Sequence, residues 1–291
     1  MSAFDPPVYA LGMSHHHDRP EEHDLGLAHD LPTLLNRRRA LGLLSGAGLA
    51  AALAACGGDS SPSGASTGGT PSDGESASSA EVVDGEVPEE TGGPFPADGS
   101  NGINVLTESG IVRSDITRSF GGPNGVADGV PTAIALTLLD MNDGDVKPYE
   151  NAAIYVWHCD AQGRYSMYDD EIGEENYLRG VQVADAEGKV TFQSIYPAVY
   201  AGRWPHIHFE VYPSQEAAVS ASDKLRTSQI ALPEASSRKV YANGSYPQSR
   251  ANLAQTSLET DTVFSDGYSL QMAKVTGSVE DGMTIALNIA V

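Results

Sequence analysis

Hydrophobic and polar residues alternate along much of the second half of the chain. Residues 189–195 read Lys-Val-Thr-Phe-Gln-Ser-Ile, and residues 206–212 read His-Ile-His-Phe-Glu-Val-Tyr. A period of two is the signature of a β-strand that presents one face to a core. Runs of similar character occupy residues 132–139, 152–157, 228–232, 270–276 and 283–290. Turn formers separate them, among them Asn142-Asp143-Gly144, Asp185-Ala186-Glu187-Gly188, Asn243-Gly244 and Glu280-Asp281-Gly282. Helical periodicity is sparse, with one short turn expected near residues 249–255. Many short strands punctuated by Gly and Asp predict an all-β fold, an antiparallel β-sandwich.

The rest of the chain divides into two further segments. Residues 1–56 contain Asn36-Arg37-Arg38-Arg39-Ala40-Leu41, a run of small and apolar residues, and then Leu53-Ala54-Ala55-Cys56-Gly57. This order predicts a bacterial export signal of the lipoprotein type, with a lipid anchor on Cys56 and paired arginines like those of a twin-arginine signal. The destination is extracytoplasmic, as a membrane-anchored lipoprotein or a secreted protein; an uncleaved anchor is the other reading of the same residues. Residues 57–100 are rich in Gly, Ser, Pro and acids, which predicts a disordered tether. The sandwich is expected over residues 101–291. A formal net charge of −22 argues against nucleic acid as a partner, because phosphate binding is driven by Lys and Arg. The two cysteines are Cys56 and Cys159, so a lipidated Cys56 leaves no internal disulfide. Cys159 reads as a small buried hydrophobe.

Chemistry concentrates in Arg203-Trp204-Pro205-His206-Ile207-His208-Phe209. On a strand, His206 and His208 share a face while Ile207 and Phe209 take the other. On spacing alone the pair is as readily a satisfied core pair as a pair of metal ligands. Of the eight histidines, only His158, His206 and His208 follow the export-like segment. Tyrosines lie nearby, at Gly163-Arg164-Tyr165-Ser166, at Tyr168, and at Pro197-Ala198-Val199-Tyr200. Phenolate and imidazole together would favour a hard, oxidised ion such as Fe(III) over metals that prefer thiolates or all-oxygen cages.

Taken in order, these segments resemble the intradiol ring-cleavage dioxygenases, the family of catechol and protocatechuate dioxygenases. The others that carry the resemblance are Glu90-Thr91-Gly92-Gly93-Pro94-Phe95, Val112-Arg113-Ser114-Asp115-Ile116, Tyr155-Val156-Trp157-His158-Cys159-Asp160, Arg179-Gly180-Val181-Gln182, Thr191-Phe192-Gln193-Ser194-Ile195 and Thr227-Ser228-Gln229. The resemblance implies a non-haem Fe(III) held by Tyr165, Tyr200, His206 and His208. It implies a catechol-type substrate cleaved with O2 to a muconate-type diacid. Tyr200 matches the tyrosinate that gives way to substrate and Tyr165 the one that stays. Arg203 matches the arginine that stabilises negative charge on the ring, and Gln229 a glutamine of the same pocket wall. Trp157 and Trp204 are expected to pack around the site. Only residues 201–205 separate Tyr200 from His206, a shorter loop than the resemblance leads one to expect, which implies an open site that admits bulky catechols. Two other readings compete. One is a non-catalytic β-sandwich binding module that retains the ligand frame. The other is a zinc or cupin-type site built on the His206–His208 pair, which needs a further ligand such as His158.

Overall fold

The computed structural model describes residues 85–142 and 145–291. The export signal expected at 1–56 and most of the expected tether lie outside these residues. No helix among the described residues is long and apolar enough to cross a membrane. Nine strands form two sheets: β1 (Pro131–Asp140), β2 (Lys147–Pro148), β3 (Ala153–Trp157), β4 (Arg179–Val183), β5 (Lys189–Ile195), β6 (His206–Tyr212), β7 (Arg226–Ala231), β8 (Lys274–Ser278) and β9 (Gly282–Ala290). Three short helices follow the last two strands of the smaller sheet: α1 (Gln215–Val219) after β6, then α2 (Glu234–Val240) and α3 (Ser249–Leu253) after β7.

The larger sheet runs β2-β1-β9-β8, with β5 also paired to β1. Its inward residues follow the expected alternation. In β1, Ile134, Leu136 and Leu138 are buried, and in β5, Val190, Phe192 and Ser194 are. Each aliphatic side chain removed from water in this way contributes about 1.5–3 kcal/mol. The sandwich is not wholly antiparallel. β1 pairs with β9 in parallel, Ile134 opposite Ile285 and Leu136 opposite Leu287. A period of two reads the same in either direction, so the alternation could not distinguish them.

The smaller sheet runs β4-β3-β6-β7 and is antiparallel throughout. Strand β6 is buried on both faces. Ile207, Phe209 and Val211 share one face; His206, His208 and Glu210 share the other. Cross-strand register extends that second face into a row, Arg179 opposite Trp157, Trp157 opposite His208, and His208 opposite Gln229. One row of one sheet therefore carries four of the residues singled out above.

Three expectations need correction. Residues 85–100 are not part of a disordered tether. Val87 is fully buried, its N–H donates to the Ala290 carbonyl, and the Glu90 N–H donates to the Thr227 carbonyl. Backbone pairing and the Pro94-Phe95-Pro96 contacts fix a stretch whose composition is that of a linker. The strand expected at 270–276 is β8 at Lys274–Ser278, an edge strand paired to β9 alone, whose side chains gain little burial and so leave a weak pattern. Finally β4, α1 and α2 were not anticipated. β4 opens with a buried arginine and a glycine, which read as loop.

Candidate metal centre

Two loops and one strand bring the candidate donors together. The first loop leaves β3 through a turn organised by Asp160. Its carboxylate accepts from the Gln162 and Arg164 N–H groups, each at 2.9 Å, and from Arg164 Nε at 2.9 Å and Nη2 at 2.8 Å. Gly163 closes that turn at φ +87°, where a Cβ would stand 3.3 Å from the Tyr200 Cβ. Glycine is therefore required both by the left-handed backbone and by the approach of the second loop. That second loop, residues 196–200, is held from outside the sandwich. The Val199 N–H donates to Ser249 Oγ at 3.2 Å, Asn252 Nδ2 donates to the Val199 carbonyl at 2.9 Å, and Tyr241 Oη donates to the Pro197 carbonyl at 2.9 Å.

The result is a tight cluster of four donor atoms. His206 Nε2 lies 3.1 Å from His208 Nε2, 3.2 Å from Tyr200 Oη and 3.4 Å from Tyr165 Oη, and the two phenol oxygens are 3.5 Å apart. Donors bonded at about 2.0–2.2 Å to one cation stand roughly 3–3.6 Å from each other, so these spacings suit a single ion at their centre. The orientation of the lone pairs suits it too. His206 Nδ1 lies 2.5 Å from the Trp204 carbonyl, which can only accept, so Nδ1 carries the proton and Nε2 offers its lone pair to the cluster. The His208 ring stacks on Trp157 at 4.8 Å and 7°, which fixes its plane, and its buried Nδ1 has no hydrogen-bond partner.

Electrostatics favour neutral groups until a cation arrives. Burial, reinforced by the Arg203 guanidinium, lowers His206 to about 3, and burial with the neighbouring His206 puts His208 well below the usual imidazole range. Both imidazoles are thus unprotonated and free to donate. Burial pushes both phenols up, Tyr165 well above the usual value, with Arg203 pulling against it at Tyr200. A bound cation reverses that preference and holds phenolate, as it does thiolate.

Arg203 is buried rather than a surface cation. Its Nε donates to Asp261 Oδ2 at 2.9 Å and its Nη2 to Gln229 Oε1 at 2.6 Å, while Gln229 Nε2 donates to the Thr91 carbonyl at 2.9 Å. Gln229 thereby lies beside Arg203 and directly across from His208 in the strand register. The opposite wall is the segment 92–97. Gly93 sits at φ +70° against the His208 ring, and Phe95 packs on Tyr165 with centroids 4.9 Å apart.

The remaining candidates sort cleanly. Tyr168 turns away, donating to Asn101 Oδ1 and accepting from the Ala97 N–H, both at 2.9 Å. His158 is consumed by the Cys159 carbonyl at 2.8 Å and Ser194 Oγ at 2.7 Å, so it supplies no third ligand to a zinc-type site. Among the described residues no group of three or more His, Cys, Asp or Glu could hold a metal ion, and the cluster here depends on phenols. Cys159 is buried, and burial pushes its thiol up, as befits a hydrophobe. Sequence reasoning missed Asp261, whose surroundings Glu259-Thr260-Asp261-Thr262 read as a polar surface turn. It also missed Asp160, which pairs with the Arg164 guanidinium as well as with backbone N–H groups, and Ser249 and Asn252, which hold the second loop through its backbone.

The comparisons fall on this same cluster. A family model described as "Dioxygenase" matches residues 118–220, a span that holds Tyr165, Tyr200, Arg203, His206 and His208. An intradiol ring-cleavage dioxygenase from Tetranychus urticae superposes with a TM-score of 0.51 at 26% identity, over 63% of this chain and 87% of that one. The chain is similar to the intradiol ring-cleavage dioxygenases. Curated relatives include a catechol 1,2-dioxygenase of Candida albicans, 34% identical over 82 residues that make up 27% of each chain. A protocatechuate 3,4-dioxygenase beta chain of Burkholderia cepacia is 32% identical over 116 residues, 35% of this chain and 47% of the relative. The match thus spans less than half the length of either curated relative.

Proposed function

We propose that this protein is an Fe(III)-dependent dioxygenase that cleaves catecholic rings between the two hydroxylated carbons, using O2, to muconate-type diacids. The single observation that carries the reading is the convergence of His208 Nε2, Tyr200 Oη and Tyr165 Oη on His206 Nε2 at 3.1, 3.2 and 3.4 Å, with the two phenol oxygens 3.5 Å apart. Fe(III) held there supplies a Lewis acid that draws electron density from a chelating catechol and makes its ring reactive towards O2.

The chain's own residues divide the remaining work. Tyr165 is buried and anchored behind the Asp160 turn, which suits the permanent ligand. Tyr200 is half-buried on a loop, which suits the ligand that gives way. Burial raises the Tyr200 phenol, so its phenolate would be a base able to take a substrate hydroxyl proton onto Oη. Arg203 commits Nε and Nη2 to Asp261 and Gln229, which holds a fixed positive charge ready beside the developing carbanion. Phe95 and Trp157 pack against Tyr165 and His208, two of the three buried ligands. The Arg37–Cys56 pattern supports export and a lipid anchor on Cys56 as part of the same proposal. Cys56→Ala should then shift the protein from membranes to the soluble fraction.

The test of function is optical and chemical. Ferric-loaded protein should be red-brown from tyrosinate-to-iron charge transfer, and adding a catechol should shift the band. Oxygen uptake should follow with at least one of catechol, protocatechuate, methyl- and chlorocatechols or hydroxyquinol, giving a diacid and no yellow semialdehyde. Colour without oxygen uptake on the whole panel would support a binding module that retains the ligand frame. A colourless loaded protein would remove the two-tyrosine site altogether.

A further inference from the structure

We propose that Asp261 is a positioning residue for this site, one carboxylate that fixes both the Arg203 guanidinium and the backbone that orients His206. The proposal rests on the dioxygenase reading above.

Asp261 is fully buried, far along the chain from the motifs that carry the donors. Its Oδ2 accepts from Arg203 Nε at 2.9 Å and from the Trp204 N–H at 2.6 Å. Its Oδ1 accepts from the Val263 and Phe264 N–H groups at 2.9 and 3.2 Å, and more distantly from Arg203 Nη2 at 3.4 Å. The first two bonds reach the site by separate routes. Through Nε, the carboxylate fixes one edge of the guanidinium while Gln229 holds Nη2, so a side chain with many rotamers is held before substrate arrives. Through Trp204, it grips the N–H of the residue whose carbonyl receives the His206 Nδ1 proton. Asp261 therefore stands one residue behind both the cation that stabilises charge and the hydrogen bond that selects the metal-facing lone pair. Outer partners that orient ligands in this way typically matter 10–100-fold.

The plain alternative is that Asp261 merely caps the 3-10 turn Phe264–Asp266 through its bonds to Val263 and Phe264. A capping role acts on stability and is independent of Arg203; a positioning role is not. The experiment compares wild type, Asp261→Asn, Arg203→Ala and the double variant, all as full-length ferric-loaded protein. Asp261→Asn should keep its ferric content and colour, lose kcat on the order of 10–100-fold with a smaller change in KM, and cost less in the Arg203→Ala background than in wild type, because only the Trp204 route remains there. In the metal-free protein, ¹⁵N-arginine NMR should show the Arg203 Nε–H exchanging slowly with solvent in wild type and rapidly in Asp261→Asn. If Asp261→Asn does not fold, Asp261→Glu retains the buried charge but displaces it by a methylene, and should give the same split between retained iron and lost kcat. Additive losses in the double variant, an unchanged kcat, or an unchanged Nε–H exchange rate overturns the proposal. Wild-type protein that turns over no catechol overturns the dioxygenase reading and the catalytic role of Asp261 with it, while the exchange experiment separately reports whether Asp261 grips Arg203.

Discussion

Gly92 and Gly93 are adjacent, yet replacing each with alanine should change stability in opposite directions. At Gly93 the backbone is left-handed, φ +70°, which costs a non-glycine residue about 1–2 kcal/mol. A Cβ there would also stand 3.4 Å from His208 Cε1 and 3.9 Å from Nε2. Those are ordinary contacts with the metal-facing edge of an imidazole stacked on Trp157, so the cost lies in the backbone, and any backbone shift that relieves it presses on His208. At Gly92 no left-handed φ intervenes, and a Cβ would make ordinary contacts of 3.7–3.9 Å with Pro96, Thr227 and Trp157. Gly→Ala at such a position stabilises by roughly 0.4–1 kcal/mol through the unfolded chain. Gly93→Ala should therefore unfold a few degrees lower and Gly92→Ala at or slightly above wild type, since about 1 kcal/mol shifts Tm by roughly 2–4 °C in a domain of this size. Thermal unfolding of the metal-free proteins measures this directly. A ferric titration of the same proteins should find Gly93→Ala about tenfold weaker, if ~1.4 kcal/mol of the strain is relieved by displacing His208. Equal melting temperatures for the two variants, or a weaker ferric site in Gly92→Ala than in Gly93→Ala, would refute the role assigned to this wall.

Other expectations follow from the same geometry. Arg203→Ala should keep ferric iron and colour while kcat falls on the order of 10²–10³-fold, and loss of the metal instead would make Arg203 a structural residue. Tyr165→Phe should lose or sharply weaken the charge-transfer band, whereas Tyr168→Phe, outside the cluster, should leave the band in place. His158 gives a pH signature. Its folded pKa is lowered by burial to about 4 from an ordinary 6.5, so the unfolded chain takes up the proton first as pH falls. Stability from this group is complete above pH 6.5 and declines towards pH 4, by of order 3 kcal/mol. In His158→Gln the fall in unfolding free energy from denaturant titrations between pH 6.5 and 4 should be smaller by that amount, and an identical fall in both proteins rules the effect out.

What could be read from the sequence follows from what each residue's neighbours are. Strands β1, β5 and β9 alternate because one face meets the sandwich core and the other does not, β6 because its second buried face carries the polar site residues, and the bounds of all four were legible to within about a residue. β4 was not, because the buried Arg179 satisfies its guanidinium with carbonyl and hydroxyl oxygens of Pro96, Ser166 and Tyr155, a solution no local pattern announces. The four donors were legible as an ordered set of motifs, since two come from one strand and two from loops that carry their own turn residues. Asp261 was invisible because its partners are backbone N–H groups and an arginine that precede or follow it at no characteristic spacing. Residues 85–100 misled because composition reports the burial a segment can achieve by itself, whereas this one borrows its pairing from β7 and β9.

The parallel pairing of β1 with β9 sets the order in which the molecule can assemble. A chain emerging from the ribosome completes β4-β3-β6-β7, the sheet that bears both histidines, well before β9 is made. The larger sheet has no such luck, for β9 lies between β1 and β8 and is the partner of both. Until it arrives, β1 has an open edge and β8 has nothing to pair with. Such long-range closure is slow, and exposed strand edges invite association with other chains while it waits. The Val87 N–H waits on the same strand, because its acceptor is the Ala290 carbonyl. The outer end of the wall at Val87 is therefore stitched down last, whereas Glu90 and Thr91 pair with β7, so that the histidine-bearing sheet and the inner part of its cover can form before the outer end closes.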